Sequence, residues 1–415
     1  MQPIDLVFEG GGAKGMVFVG ALEELFGGDR YTFGRLLGTS AGAITAVSLA
    51  AGLTPEMMLA SLAEKDEAGK SVFESFLGAP APFDDDAVHH SAIRKFLGNL
   101  NMPFVPDFAE EKIDDWIAGR LAANDSGRHL FSFVERGGWF SADPFVAWME
   151  RKLNEVELDG QPRQLGASTL KQFFAETGVE MTLVAADTTW SRMLLLNHRT
   201  APDLPVVWAA RMSMSVPLLW QEVEWQAAWG PYQTWNPTAE RLEPNDITDH
   251  VVVDGGLLSN FPIALFMADR EDVAAVVGPP QHQNVLGLLI DEALPVPNCP
   301  PKPASGKSSS FTNLRTFQRL HRLMNTATGA HDNMAIAAFA RHVVRLPAGG
   351  YGTTQFDMTD EERDVLVEAG RQTMRTFLAS QTVLEGTREI GGGDFAPSAE
   401  STWMANDAAG TILQR

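Results

Sequence analysis

The chain contains a single cysteine, Cys299, in 415 residues. That excludes an internal disulfide and any structural metal site built from several thiolates, and it fits a reducing compartment. Positive charge is also scarce: 32 Lys and Arg face 53 Asp and Glu, for a formal net charge of −21. Such a field repels nucleic-acid phosphates and anionic lipid surfaces alike. Nucleic acid is therefore not expected as a partner, and any peripheral membrane contact must come from apolar residues or a local basic patch. Long apolar runs are missing too. The stretch around Ala41 to Ala51 falls well short of the roughly 20 residues that span a bilayer, so no transmembrane helix is expected. The start, Met1-Gln2-Pro3-Ile4-Asp5, lacks the basic opening of a secretory signal and runs straight into a strand-like segment. A cytoplasmic protein is the expectation.

What is present is enough apolar residue, 45% of the chain, to bury a substantial core. Ile4 to Phe8 is a short apolar run that ends in Glu9 and three glycines, and Met16 to Phe26 then carries a helical apolar pattern stopped by Gly27-Gly28. The plan repeats: Phe33 to Leu37 is strand-like, Gly38 to Gly42 is a tight turn, and Ala43 to Ala51 is a helix of small residues. Thr54-Pro55-Glu56 caps a further helix. Two successive strand-to-helix units predict a parallel sheet covered by helices. Residues 56 to about 180 are mostly helical in pattern, with Asp84-Asp85-Asp86 read as solvated surface or a helix N-terminus, since three adjacent carboxylates do not face one point. Met181 to Ala186 and Met193 to Asn197 read as a hairpin around Thr188-Thr189-Trp190. The polar segment from Leu219 to Asp249 carries Trp220, Trp225, Trp229 and Trp235, for which internal packing is preferred over a lipid-facing lip. Val251 to Val253 and Val285 to Ile290 are short strands. Pro295 to Ser310 has the composition of a mobile loop. Phe311 to Met324 and His331 to Ala340 read as helices, and Arg315, Arg319, Arg322 and Arg341 concentrate basic charge there. Thr359-Asp360-Glu361-Glu362 opens a helix, and from Gly386 the chain reads as a flexible tail.

Three blocks carry chemistry. Gly10-Gly11-Gly12-Ala13-Lys14-Gly15 follows a strand and opens a helix, as a dinucleotide-binding loop does. A dinucleotide site also needs an acidic residue at the end of the second strand, where this chain has Gly38-Thr39-Ser40. Gly38-Thr39-Ser40-Ala41-Gly42 fits G-x-S-x-G, the elbow that strains a serine onto a sharp strand-to-helix turn and presents its Oγ at a helix N-terminus. Asp254-Gly255-Gly256 follows the strand from Val251 to Val253 and, seen in isolation, reads as an ordinary Asp-Gly turn. An ordinary triad would add a histidine after the aspartate, but none of His282, His321, His331 and His342 has a distinctive turn context. A Ser-His-Asp carboxylesterase and a non-catalytic lipid-binding module remain as alternative readings of the same residues.

Together the glycine run, the Gly38 to Gly42 elbow and the Asp254-Gly255-Gly256 turn resemble the patatin-like phospholipase family, in the family's order. Ala210-Arg211-Met212-Ser213-Met214-Ser215-Val216-Pro217 and Asp254-Gly255-Gly256-Leu257-Leu258-Ser259-Asn260-Phe261-Pro262 extend the likeness, which spans roughly residues 4 to 380. The resemblance implies a three-layer α/β/α fold whose mainly parallel sheet carries both motifs at the carboxyl ends of its strands. Helical insertions at about 56–180 and 219–249 and the loop at 295–310 would belong to one domain over 1–385, followed by a flexible tail over 386–415. It implies a Ser40 nucleophile with Asp254 as base, and an oxyanion hole from the N–H groups of Gly10, Gly11 and Gly12. Lys14, Gly15, Gly38, Gly42, Gly255 and Gly256 would support the motifs. The implied substrate is an acyl-ester lipid, a phospholipid foremost, turned over with no metal or organic cofactor.

Overall fold

The computed structural model describes residues 1–67, 69–98, 119, 124–158, 160–282, 284–299, 339–385 and 397–414. An eight-stranded sheet forms its centre. Its strands are β1 (Gln2–Phe8), β2 (Tyr31–Thr39), β3 (Met181–Asp187), β4 (Arg192–Leu196), β5 (Val223–Glu224), β6 (Val251–Asp254), β7 (Val285–Pro295) and β8 (Val343–Gly349). Five of them run parallel in the order β8-β7-β1-β2-β3. Strands buried on both faces read as continuous apolar runs, and β1 from Ile4 to Phe8 and all of β3 are buried.

Beyond β3 the sheet turns antiparallel, and the register there decides where the site lies. The hairpin partner β4 takes one edge of β3 from Leu183 to Asp187. On the other edge β2 pairs in parallel as far as Thr39 opposite Val184. Strand β6 pairs antiparallel with the rest of that edge, from Val252 opposite Asp187 to Asp254 opposite Ala185. Because one edge can hold only one partner at each position, β2 and β6 lie end to end. Their carboxyl ends meet head-on between Val184 and Ala185. Both motifs thus stand at the carboxyl ends of strands, but of strands pointing at each other.

Helices cover both faces. Helix α1 (Val17–Phe26), α2 (Ala41–Ala51), α3 (Pro55–Leu62) and α4 (Asp143–Asn154) lie on the side of the larger core, with α5 (Val206–Ser213). Thr54 caps α3 by accepting from the Met57 N–H, and Asp84 caps its own short helix by accepting from the Ala87 N–H, so the aspartate run is a helix N-terminus. The long helix α7 (Asp360–Glu385) opens on a capping box between Thr359 and Glu362. It lies on α1 at backbone distance: a Cβ on Gly20 would come within 1.9 Å of the Val367 carbonyl, and one on Gly370 within 2.1 Å of that of Val17.

In the segment from 219 to 249, Trp220, Trp225 and Trp229 are buried. Trp225 donates to the Gly230 carbonyl and Trp220 to that of Phe76, so packing wins over a lipid-facing lip for these three. Of the expected loop at 295–310, Pro295–Cys299 is described and Val296 is buried; the remainder, with the helices expected over 311–324 and most of 331–340, lies outside the described residues. Arg341 is exposed beside β8.

The expected flexible tail needs correction. Ala399–Gln414 forms a helix, α8, against α6 (Ala264–Met267). Its Gly, Ser and Ala content resembles that of a linker, yet small residues are also what a closely packed helix needs. Ala405 and Ala409 are fully buried, with Ile412 beside them. Asn406 accepts from the Asp269 N–H at 2.8 Å through its side chain, and its carbonyl accepts from Arg270. Removing residues 399–415 should therefore expose the apolar face made by Leu265, Phe266 and Met267. Thermal melting should move down by several degrees and binding of an apolar dye should rise; an unchanged melt would show that the helix is dispensable.

Candidate active site

Ser40 ends β2 and precedes α2 with φ 54° and ψ −119°, a backbone conformation that typically costs a non-glycine residue about 1–3 kcal/mol. Three contacts hold it there. A Cβ on Gly38 would fall 2.2 Å from the Gly42 carbonyl oxygen, and one on Gly42 would fall 2.4 Å from that of Phe8, so both flanking glycines permit backbone contacts that a methyl group would break. The Ser40 N–H donates to Ser213 Oγ at 3.0 Å, and Ser213 donates in turn to the Val184 carbonyl at 2.6 Å. Ser213 thereby ties the elbow to β3 at the residue where β2 ends.

Asp254 arrives from the other side. Its N–H donates to the Ser215 carbonyl at 2.9 Å, and its Oδ1 accepts from the Gly256 N–H at 2.7 Å. The chain turns away at once because Gly255 can pass the Val184 carbonyl, where a Cβ would stand 2.5 Å off. Burial pushes the Asp254 carboxyl up to about 7 from an ordinary 3.8, while a hydrogen-bonding interaction with the Ser40 hydroxyl and the Gly256 N–H pull the other way. Behind it lies a buried cation. Arg211 donates to Ser215 Oγ and to the carbonyls of Ser141 (3.1 Å) and Gln221 (2.7 Å). Burial pulls its guanidinium down to about 10, against the pull of Asp143, and it stays charged at neutral pH.

The glycine loop abuts the serine: a Cβ on Gly10 would lie 3.1 Å from Ser40 Cβ, and one on Gly15 would lie 2.6 Å from that of Ala41. Asn260 clamps the loop, its carbonyl accepting from the Gly10 N–H at 3.2 Å while its amide donates to the Gly10 carbonyl at 2.8 Å and to Glu9. Glu9 accepts from the Ile290 N–H at 2.6 Å and so joins the clamp to β7. The Gly10 N–H is thus engaged, whereas no group among the described residues accepts from Gly11 or Gly12. Lys14 is buried and paired with Glu292, which holds the loop from its far side.

Ser40 lines a cavity of about 110 Å³ whose walls are mainly apolar, with Met16 just before α1, Val19 from α1, Ile44 from α2, Phe73, Trp148 and Phe356. No histidine is among its lining residues. The buried His250 pairs with Asp187 at 2.9 Å, His282 lies 3.1 Å from Asp5, and His342 contacts the Val285 carbonyl; His321 and His331 lie outside the described residues. Among the described residues no cluster of His, Cys, Asp and Glu suits a metal ion, and no helix is long and apolar enough to cross a membrane.

The structure therefore brings Ser40, Asp254 and the glycine run into one place. Ser213, Asn260 and Arg211, which hold that place together, lie inside the sequence blocks quoted above, but their types alone gave them no role. Only burial with named partners separates them from surface serine, asparagine and arginine.

A strained serine elbow thus stands beside a buried carboxylate on the covered, mainly parallel sheet of an α/β protein. The chain belongs to the patatin-like phospholipase family, whose model matches residues 6–267, and is thus a lipid acyl hydrolase in general character. YqhO of Bacillus subtilis strain 168, described as uncharacterized, is 26% identical over 389 residues, covering 91% of this chain and 99% of YqhO. Among solved structures, VipD from Legionella pneumophila is similar with a TM-score of 0.42 and 15% identity, covering 99% of this chain and 75% of VipD. The type III effector ExoU of Pseudomonas aeruginosa is similar with a TM-score of 0.39 and 16% identity, covering 100% and 61%.

The raised Asp254 value has a consequence for stability. The folded protein holds this proton up to about pH 7, and the unfolded chain only to about its ordinary 3.8. Between those values the native state binds more protons, so stability falls as pH rises through the window. Asp254→Asn removes that loss. The variant should melt several degrees above the parent protein at pH 8, and the two should converge near pH 4; equal melts at pH 8 would contradict the buried ionised carboxylate.

Proposed function

We propose that the protein is a serine lipid acyl hydrolase of phospholipase A or lysophospholipase type, with Ser40 as nucleophile and Asp254 as the sole general base. The observation that carries this reading is the head-on meeting of β2 and β6, which sets a buried, half-ionised carboxylate beside the serine with no histidine along the cavity. A base titrating near neutral pH combines proton affinity with availability. Asp254 takes the Ser40 proton as Oγ attacks the ester carbonyl carbon. The oxyanion then forms against the amides of Gly11 and Gly12, the two glycines of the expected trio whose N–H groups are not already committed. Such donors typically contribute about 10²–10³ in rate. The N-terminus of α2 adds positive potential at the same point. Collapse breaks the ester C–O bond, the departing alkoxide takes the proton from Asp254, and an acyl-enzyme remains. Water, deprotonated by the same carboxylate, releases the fatty acid and regenerates Ser40. No step calls for a metal or an organic cofactor. Arg211 and Ser215 act as positioning residues through the Asp254 backbone, and Lys14 with Glu292 holds the loop.

Ser40→Ala and Asp254→Asn should each lower kcat on p-nitrophenyl esters and on phospholipid by about 10³-fold or more, and the double variant should be little worse than either. A fluorophosphonate probe should label Ser40. Substantial hydrolysis by folded Asp254→Asn, or labelling at another serine, would overturn the dyad.

The pH profile provides a separate check. Only ionised Asp254 can accept the proton, so kcat/KM should rise as pH increases through about 7. A limb centred near an ordinary carboxylate value would contradict the buried base.

A further inference from the structure

The cavity at Ser40 has a direction and an end. Ser40, Ala41, Ile44, Thr45 and Ser48 lie along one side of it, at the spacing that follows a single face of α2 away from the serine. Helix α4 forms another wall and runs the same way. Its approach lies beside the site, where the Ser141 carbonyl accepts from Arg211. Its exit lies beside the end of α2: a Cβ on Gly52 would be 3.7 Å from Val156, and Arg163 donates to the Ala51 carbonyl at 3.3 Å. Trp148 therefore faces the middle of the channel and Lys152, one turn on, its far end.

That far end sets polar groups among the apolar side chains of Leu53, Met58 and Leu62. The Ser48 and Ser61 hydroxyls donate to the carbonyls of Ile44 (2.8 Å) and Met57 (2.9 Å) in their own helices, which leaves oxygen lone pairs on the wall. Lys152, with only 9% of its side chain exposed, is paired with Glu64 and Glu155. Glu64 also accepts from Arg151 at 2.9 Å and from the Trp148 indole at 3.3 Å. A methylene pushed into this cluster would strip charge pairing from the buried Lys152 and hydrogen bonds from the buried Ser48 and Ser61, which is unfavourable. Apolar wall upstream and a charged knot downstream make a stop.

Resting on the acyl-hydrolase reading of Ser40, we propose that this channel selects medium-length acyl chains and that the Lys152–Glu64 knot sets the limit. The eight residue steps from Ser40 to Ser48 rise by about 12 Å at roughly 1.5 Å per residue. An extended hydrocarbon advances about 1.3 Å per carbon, as its bond lengths and angles dictate, so the channel takes a chain of about eight to ten carbons. Each methylene entering apolar wall should raise kcat/KM by up to about fourfold, and the gain should stop where the knot begins.

The test is a series of p-nitrophenyl esters from butyrate to palmitate, below their aggregation limits, with kcat/KM read for each. The wild type should peak at octanoate or decanoate and be at least about tenfold slower on palmitate. Lys152→Ala opens the end and should move the peak to laurate or myristate. Ile44→Phe narrows the channel midway and should move the peak toward butyrate or hexanoate. Should Lys152→Ala fail to fold, Ile44→Phe and ligand binding still decide the matter. Calorimetry on Ser40→Ala should find decanoate bound more tightly than palmitate. A palmitate optimum in the wild type, a peak unmoved by both folded variants, or tighter palmitate binding would overturn the proposal. Selective decanoate binding with no ester turned over would instead refute the hydrolase reading and leave the channel standing.

Discussion

The site exists because two strands share one edge of β3. Strand β2 stops at Val184 and β6 stops at Ala185, each having run toward the other, and neither can continue without colliding. The chain must turn out of the sheet at both ends, at Ser40 and at Gly255. Everything local to the site follows from that collision: the positive φ of Ser40, the three glycines (Gly38, Gly42 and Gly255) that let backbone pass backbone, and the two serines that tie the turns down. Ser213 bonds Ser40 to Val184, and the Ser215 carbonyl accepts from the Asp254 amide, so one short stretch at the end of α5 fixes both motifs. A parallel pair alone would have set the two chain ends side by side, a strand spacing of about 4.8 Å apart and pointing the same way.

Placing a carboxylate in such a junction has an energetic consequence. Asp254 is surrounded by sheet and helix, and its ionised form loses hydration that only the Gly256 amide and the Ser40 hydroxyl replace. The fold thus gives up stability at neutral pH to keep a carboxyl that titrates near 7, a pattern common at sites whose groups are tuned by burial. Arg211 is the counterpart on the other side of Ser215. Its partners are one hydroxyl and two backbone carbonyls, so its charge is spread over dipoles and is not neutralised by direct pairing with Asp254. Direct pairing would have lowered the carboxyl toward or below its ordinary value.

The apolar insertions complete the picture. Tryptophans that in sequence could have faced a lipid surface are spent on packing, and one of them, Trp220, anchors the segment carrying Phe76 that walls the Ser40 cavity. Apolar residues from α1, α2, α3 and α4 converge on the same cavity, so the enclosure around the serine is built by the core itself and not by a separate appendage. The global charge of −21 remains on the outside, where it favours solubility.

By itself the sequence determined the strand-to-helix units, because apolar runs broken by glycine leave few alternatives. It also singled out Ser40 and Asp254, which the structure brings together, because each follows or ends a strand beside glycines that tolerate a forced turn. Tertiary structure decided the rest. The head-on geometry depends on strand register, a long-range property that no local pattern encodes. Asn260 at the Gly10 amide, Ser213 under the elbow and Arg211 behind Ser215 are ordinary polar residues until burial gives each a partner. The same holds for the C-terminal helix: Ala405 and Ala409 read as linker composition, and they became core only because α6 offered a face close enough for small side chains to fill.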